Sequence, residues 1–171
     1  MSFKEMNIEE LCFNPFTAIN KEWMLITAGE EKSYNTMTAS WGGLGELWGQ
    51  YSSTIYIRPQ RYTKEFVDRS EYYSLCFFNE EYRNTLNFCG SKSGRDYDKA
   101  FECGLTPVFD RQAPYFKEAS MVYICRKLYM QDMTADCFID TKLINKCYPE
   151  SDFHTAYVGG IETVLQKTSN K

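Results

Sequence analysis

Six short runs rich in aromatic and β-branched residues, with no long apolar helix between them, limit what this chain can fold into. The runs are Trp23 to Ala28, Tyr34 to Trp41, Thr54 to Ile57, Tyr73 to Phe78, Ser120 to Tyr129 and Ala156 to Gln166, and residues of this kind favour strands. Gly29-Glu30-Glu31 predicts a turn that pairs the first two as a hairpin. Short helices are expected in between. One opens at Thr63, whose hydroxyl is placed to cap the amides of Lys64 to Arg69. A second runs from Glu80 to Cys89 and stops at Gly90, and a third runs from about Asp96 to Cys103 and stops at Gly104. A parallel βαβ alternation needs longer recurring helices, so the pattern predicts a mainly β, α+β barrel of antiparallel strands, closed or partly closed. No repeat or Pro/Gly/Ser linker interrupts residues 1–171, which are expected to form a single domain.

The 171 residues are 43% hydrophobic and 16% aromatic, enough for one sizeable core and suited to strands or to stacking on a flat ligand. A net charge of -4 leaves no broad basic surface, which argues against nucleic acid or an anionic membrane as main partner and confines any anion site to a local cluster. Trp23 to Ala28 and Met121 to Cys125, the longest apolar stretches, are too short to span a bilayer, and Met1 to Glu10 carries no signal-peptide pattern. The expected compartment is the cytoplasm. Seven cysteines (12, 76, 89, 103, 125, 137 and 147) are an odd number without a C-x-x-C pair, so they are read as reduced, buried or semi-buried thiols. One histidine cannot supply a zinc site or a histidine-based triad, and no metal is expected.

Three segments carry candidate chemistry. In Asn35-Thr36-Met37-Thr38-Ala39-Ser40-Trp41-Gly42-Gly43 a strand period of two puts Thr36, Thr38 and Ser40 on one face and Met37, Ala39 and Trp41 on the other. That row of hydroxyls beside glycines suits the carbonyl and imide edge of a flat heteroaromatic ring; an ordinary amphipathic strand entering a Gly-rich turn has the same pattern. Arg58-Pro59-Gln60-Arg61-Tyr62-Thr63 sets two arginines at a strand end before a helix start, a combination suited to phosphate or to plain solvation. Cys89-Gly90-Ser91-Lys92-Ser93-Gly94-Arg95-Asp96 gathers hydroxyls, cations and glycines as an anion cradle does. It is not a phosphate-binding loop of the nucleotide-triphosphate type, because Lys92 precedes the second glycine, and no dinucleotide G-x-G-x-x-G follows a strand. His154 is a candidate proton donor or a structural residue at a loop-to-strand junction.

Together these segments, with Phe77-Phe78, Glu80 to Arg83 and His154 to Gly159, resemble the flavin reductase-like, FMN-binding split-barrel family, especially its flavoredoxin-like members. The resemblance spans nearly the whole chain. It implies a six-stranded Greek-key split barrel, a homodimer, and FMN with its ring against Asn35 to Trp41. Site residues implied are Asn35, Thr36, Met37, Thr38, Ala39, Ser40, Trp41, Arg58, Arg61, Tyr62, Thr63, Cys89, Gly90, Ser91, Lys92, Ser93, Gly94 and Arg95, with Arg58, Ser91, Lys92 and Ser93 around the phosphate and His154 as catalytic candidate. The implied function is NAD(P)H:flavin oxidoreduction or flavoredoxin-like electron carriage, with NAD(P)H or a redox protein as donor; the alternative is a non-enzymatic flavin-binding or storage module. Gly160 departs from the family pattern, where many relatives have an acidic residue.

Overall fold

The computed structural model describes residues 2–168. Its ten strands in chain order are β1 (Phe3–Glu5), β2 (Met24–Glu30), β3 (Ser33–Ala39), β4 (Gly42–Leu47), β5 (Gln50–Ile57), β6 (Tyr72–Phe77), β7 (Pro107–Val108), β8 (Tyr115–Phe116), β9 (Met121–Asp132) and β10 (Thr155–Lys167). Helices α1 (Pro15–Thr17, continued by a π turn), α2 (Tyr62–Arg69), α3 (Arg83–Ser91), α4 (Lys99–Glu102) and α5 (Lys142–Cys147) connect them. All six expected strands are present. Eight strands share one sheet in the order β3-β2-β6-β9-β10-β5-β4, with β1 paired to the end of β10, while β7 and β8 form a separate ribbon. Every pairing is antiparallel. The sheet curls into a barrel split between β3 and β4, and Ser53 of β5 reaches Tyr73 of the non-neighbouring β6 by a 2.7 Å hydroxyl contact.

The central strands look continuously apolar because both of their faces are buried. Met24, Ile26 and Ala28 of β2 join Leu75, Phe77, Tyr123, Cys125 and Tyr157 in one core cluster. Their alternates Leu25, Cys76, Val122 and Ile124 join a second cluster, which Leu86 and Cys89 of α3, Ala100 of α4 and Phe116 of β8 cover. Strand alternation thus divides one run between two cores.

The barrel has more strands than the expected six. The Gly-rich stretch after Trp41, which suits a turn, opens β4 (Gly42–Leu47), paired antiparallel with β5, and its Gly43 and Gly45 sit on open surface. The β4–β5 hairpin closes through Trp48 and Gly49, both at positive φ (58° and 73°), the backbone of a two-residue type I′ turn. The expected turn at Gly29 to Glu31 lies one step later, at Glu31 and Lys32, since β2 runs to Glu30. Helix α2 starts at Tyr62, so Thr63 is inside it and caps nothing; its hydroxyl instead accepts from Asn35 Nδ2 at 2.8 Å. Gly90 does not stop α3, which continues to Ser91; at Gly90 the helix packs closely on Thr38, whose Cβ would lie 3.3 Å from an added Cβ. Asp98 caps the shorter α4 by accepting from Phe101 N (3.1 Å), and Gly104 ends it at φ 65° as expected. Cys12 and Cys137 are exposed, against the expectation of buried or semi-buried thiols. Among the described residues no helix is long and apolar enough to cross a membrane.

A register shift in β10 between Val158 and Gly159 brings Gly159 against the Tyr73 ring, where an added Cβ would lie 2.4 Å from the hydroxyl. Gly159→Ala is expected to cost about 1–3 kcal/mol through overpacking, a fall in Tm of about 2–12 °C for a chain of this size. Gly43→Ala, which meets nothing within 4 Å, serves as control and leaves Tm in place; equal melting of the two variants in a thermal scan contradicts this packing.

Candidate functional site

Strand β3 ends the sheet, so its outer edge has no strand partner. Beside that edge lies a cavity of about 220 Å³ lined by Met37, Thr38, Ala39, Ser40 and Trp41, by Tyr56 and Arg58 at the end of β5, by Arg61 before α2, and by His154 before β10. The period of two along β5 explains why Tyr56 and Arg58 share the cavity. Trp41, half exposed, places its ring 5.1 Å from the His154 imidazole.

The two arginines differ in what they hold. Arg58 forms an ion pair with Asp152 and donates to Cys147 O at 2.7 Å, and Asp152 accepts further from Gln60 (2.8 Å). Its charge is therefore compensated, and its geometry ties the segment leading to His154 onto the barrel. Arg61 donates to Gly90 O at 2.6 Å and, among the described residues, is paired with no carboxylate. Burial first and the Arg58 charge second push its guanidinium below its ordinary value, so an anion beside it relieves both penalties. The first turn of α2, with Arg61 at its cap position, has no side-chain cap, which leaves amides suited to the same anion.

The expected hydroxyl row is used differently. Thr36 is buried and its hydroxyl meets Thr27 Oγ1 at 2.9 Å and Ile26 O at 3.2 Å, while Thr38 donates to Leu86 O at 2.6 Å. These hydroxyls fasten β3 to β2 and α3. Ser40 and the β3 backbone edge are the polar groups of this segment left on the cavity. Met37 and Ala39 belong mainly to the core.

The Cys89 to Arg95 segment is drawn to the same side of the barrel. Gly94 packs on Asn35, where a Cβ would sit 2.0 Å from Oδ1. Arg95 pairs with Glu65 and stacks over Tyr62, 4.5 Å from the ring centroid. Ser93 accepts from Arg95 N at 3.2 Å, and Ser91 donates to Phe88 O at 3.3 Å. Lys92 is exposed over the Tyr97 ring. Cys89 is buried. Of the four residues expected around a phosphate, only Arg58 lines this cavity, and Arg61 joins it there.

Sequence reading missed Lys99. This side chain is 5% exposed, and its Nζ donates to Thr36 O and Cys89 O, both at 2.9 Å. Burial pushes its ammonium down to about 8. Its signal was a lone lysine ahead of Ala100-Phe101 directly after the glycine-rich segment. It lines a second, larger cavity of about 510 Å³ beside the first half of β3, with Asn35, Gly94 and Arg95.

A family model described as flavin reductase like domain matches residues 16–168. The chain belongs to this family. Its fold is similar to the FMN-binding domain of a flavin reductases-like enzyme from Shewanella baltica OS155 (TM-score 0.69, 14% identity, 96% of this chain and 77% of that one). It is also similar to the flavoredoxins of Desulfovibrio vulgaris Miyazaki F (TM-score 0.66, 19% identity, 96% and 77%) and Methanosarcina acetivorans (0.68, 16%, 96% and 76%). No curated protein matches the sequence. All three candidate segments and His154 lie inside the matched flavin reductase like region.

His154 is buried, and its Nδ1 meets Tyr148 OH at 2.8 Å. Burial, with the Arg58 charge next, pushes the imidazole down from 6.5 to about 4, so it is neutral at pH 7. Folding thus disfavours its protonated form: the unfolded chain binds the extra proton between pH 6.5 and 4, and stability falls as pH drops through that window. His154→Gln, which cannot titrate, is expected to lose less of its urea midpoint between pH 7 and 4.5 than the parent; parallel losses in both chains contradict the assignment.

Proposed function

We propose that this flavin reductase like domain binds FMN at the β3 edge and works as a redox flavoprotein. The observation that carries this reading is the Arg61 guanidinium, half-buried, unpaired by any carboxylate among the described residues and crowded by Arg58, beside an unpartnered strand edge. The donor set fits FMN. Arg61 and the uncapped first turn of α2 suit a phosphate, the β3 edge with Ser40 suits the polar rim of the ring, and Trp41, Met37 and Ala39 supply apolar surface for its face. The cavity of about 220 Å³ is smaller than a whole nucleotide site, so it accounts for part of the ligand, and the segment 89–95 is the proposed wall for the remainder. A dinucleotide is disfavoured because no Rossmann fingerprint is present.

Bound FMN supplies hydride and single-electron chemistry. The protein's own groups bind and orient. Arg61 holds the phosphate end, Arg58 fixes the Asp152 to His154 segment through its ion pair, and neutral His154 offers one imidazole nitrogen to the cavity while the other stays on Tyr148. A neutral imidazole adds no fixed charge, so proton exchange at its free nitrogen is its available role. Either NAD(P)H or a redox protein serves as electron donor; rapid anaerobic bleaching by NADH or NADPH selects the first. Residues 1–171 are proposed to act as one domain, in the cytoplasm, as a homodimer. Exposed Trp48, Tyr129, Met130 and Leu47, with the Trp48 and Tyr129 rings 6.2 Å apart, support the last point as apolar surface that a second copy would cover; sedimentation is expected to give twice the 20.0 kDa chain mass, and a stable flavin-bound monomer contradicts it.

The binding test separates phosphate from ring. Arg61→Ala removes a charge-assisted hydrogen bond of about 1.5–3 kcal/mol, so it is expected to weaken FMN about tenfold to a hundredfold and leave riboflavin affinity unchanged. Lys117→Ala, on exposed surface away from the site, is expected to change neither. FMN and riboflavin affinities that move together in Arg61→Ala, or release of FAD as the resident flavin by mass spectrometry, contradict the reading.

A further inference from the structure

Of the four cysteines that are at least partly buried in the two cores, two lie on segments tied together through Lys99. Cys89, fully buried near the end of α3, and Cys103, partly exposed just after α4, pack in the same cluster with Ala100 and Leu105. Burial raises both thiols first, and each is near enough to the other to shift its acidity as well. Lys99 ties the two segments together: its Nζ donates to Cys89 O at 2.9 Å, and its carbonyl accepts from Cys103 N at 3.2 Å. The other buried thiols have hydroxyl neighbours instead, Cys76 with Ser74 Oγ at 3.7 Å and Cys125 accepting from Ser53 Oγ at 3.3 Å.

We propose that Cys89 and Cys103 are a redox-active dithiol that closes to an intramolecular disulfide when a hydroperoxide is present. Cys103 is the accessible member. Its sulfur attacks hydrogen peroxide, the O–O bond breaks, and a sulfenic acid forms as hydroxide leaves with the Cys103 thiol proton as water; sulfur loses two electrons and the two peroxide oxygens gain them. Cys89 sulfur then attacks Cys103 sulfur, the S–S bond forms, the S–O bond breaks, and the hydroxyl leaves as water with the Cys89 proton. Burial raises both thiols above the ordinary value, so this pair responds to sustained oxidant rather than to brief exposure. The disulfide closes residues 90–102 into a loop that contains Lys92, Arg95 and Lys99, and so fixes the flank of β3.

The test needs no flavin and therefore does not stand or fall with the proposed function. The full chain is treated with hydrogen peroxide, alkylated under denaturing conditions and mapped by mass spectrometry. The expected product has lost about 2 Da as two hydrogens, yields a peptide linking Cys89 to Cys103, and returns to the dithiol with dithiothreitol. Cys103→Ser abolishes the linked peptide and Cys147→Ser retains it. Peroxide that only adds oxygen at exposed Cys12 and Cys137 while Cys89 and Cys103 remain alkylatable overturns the proposal, as does a link between any other pair in the parent chain, a result that does not depend on how the variants fold.

Discussion

Lys99 places a positive charge in an apolar setting and spends it on backbone carbonyls. Its ammonium bridges Thr36 O on β3 and Cys89 O on α3. Arg61 takes the next carbonyl, Gly90 O, and Thr38 takes Leu86 O from the strand side. Three residues thus converge on the last turns of α3, where the carbonyl ends of the helix are partially negative and favour cations. The sheet's terminal strand has a neighbour on one edge only, and this clasp supplies what a second strand otherwise provides. Without Lys99, the buried carbonyls of Thr36 and Cys89 lose their donor, at about 1–3 kcal/mol for each unsatisfied group.

The same arrangement explains how an acidic protein keeps a place for an anion. Net charge is -4, and Arg58 and Arg95 are already balanced by Asp152 and Glu65. Arg61 and Lys99 are held by carbonyls, whose dipoles orient a cation without neutralising it. Positive potential is therefore retained at one spot, while His154, kept neutral by burial and by Arg58, adds none.

Much of the fold was legible in the sequence because strands of aromatic and β-branched residues mark themselves even where both faces are buried. The strand at Gly42–Leu47 was not, since a glycine-rich edge strand on open surface looks like a turn. The site was legible as blocks and less so as roles. The segments around Asn35, Arg61 and Cys89 do come together, through Asn35 on Thr63, Gly94 on Asn35 and Arg61 on Gly90. Which cation is free was hidden, because Arg58 finds its counter-charge in Asp152, far along the chain. Thr36 and Thr38 look like ligand hydroxyls in a strand but spend their bonds on the protein. The Cys89–Cys103 approach depends on how α4 folds back onto α3, and no spacing rule announces it.

Flavin is proposed to dock at the β3 edge with its phosphate on Arg61. A crystal structure grown with FMN tests it most directly. The expected result is the ring against Met37 to Trp41 and phosphate oxygens within hydrogen-bond reach of the Arg61 guanidinium; FMN bound elsewhere, or seated at β3 with its phosphate turned away from Arg61, rules this docking out.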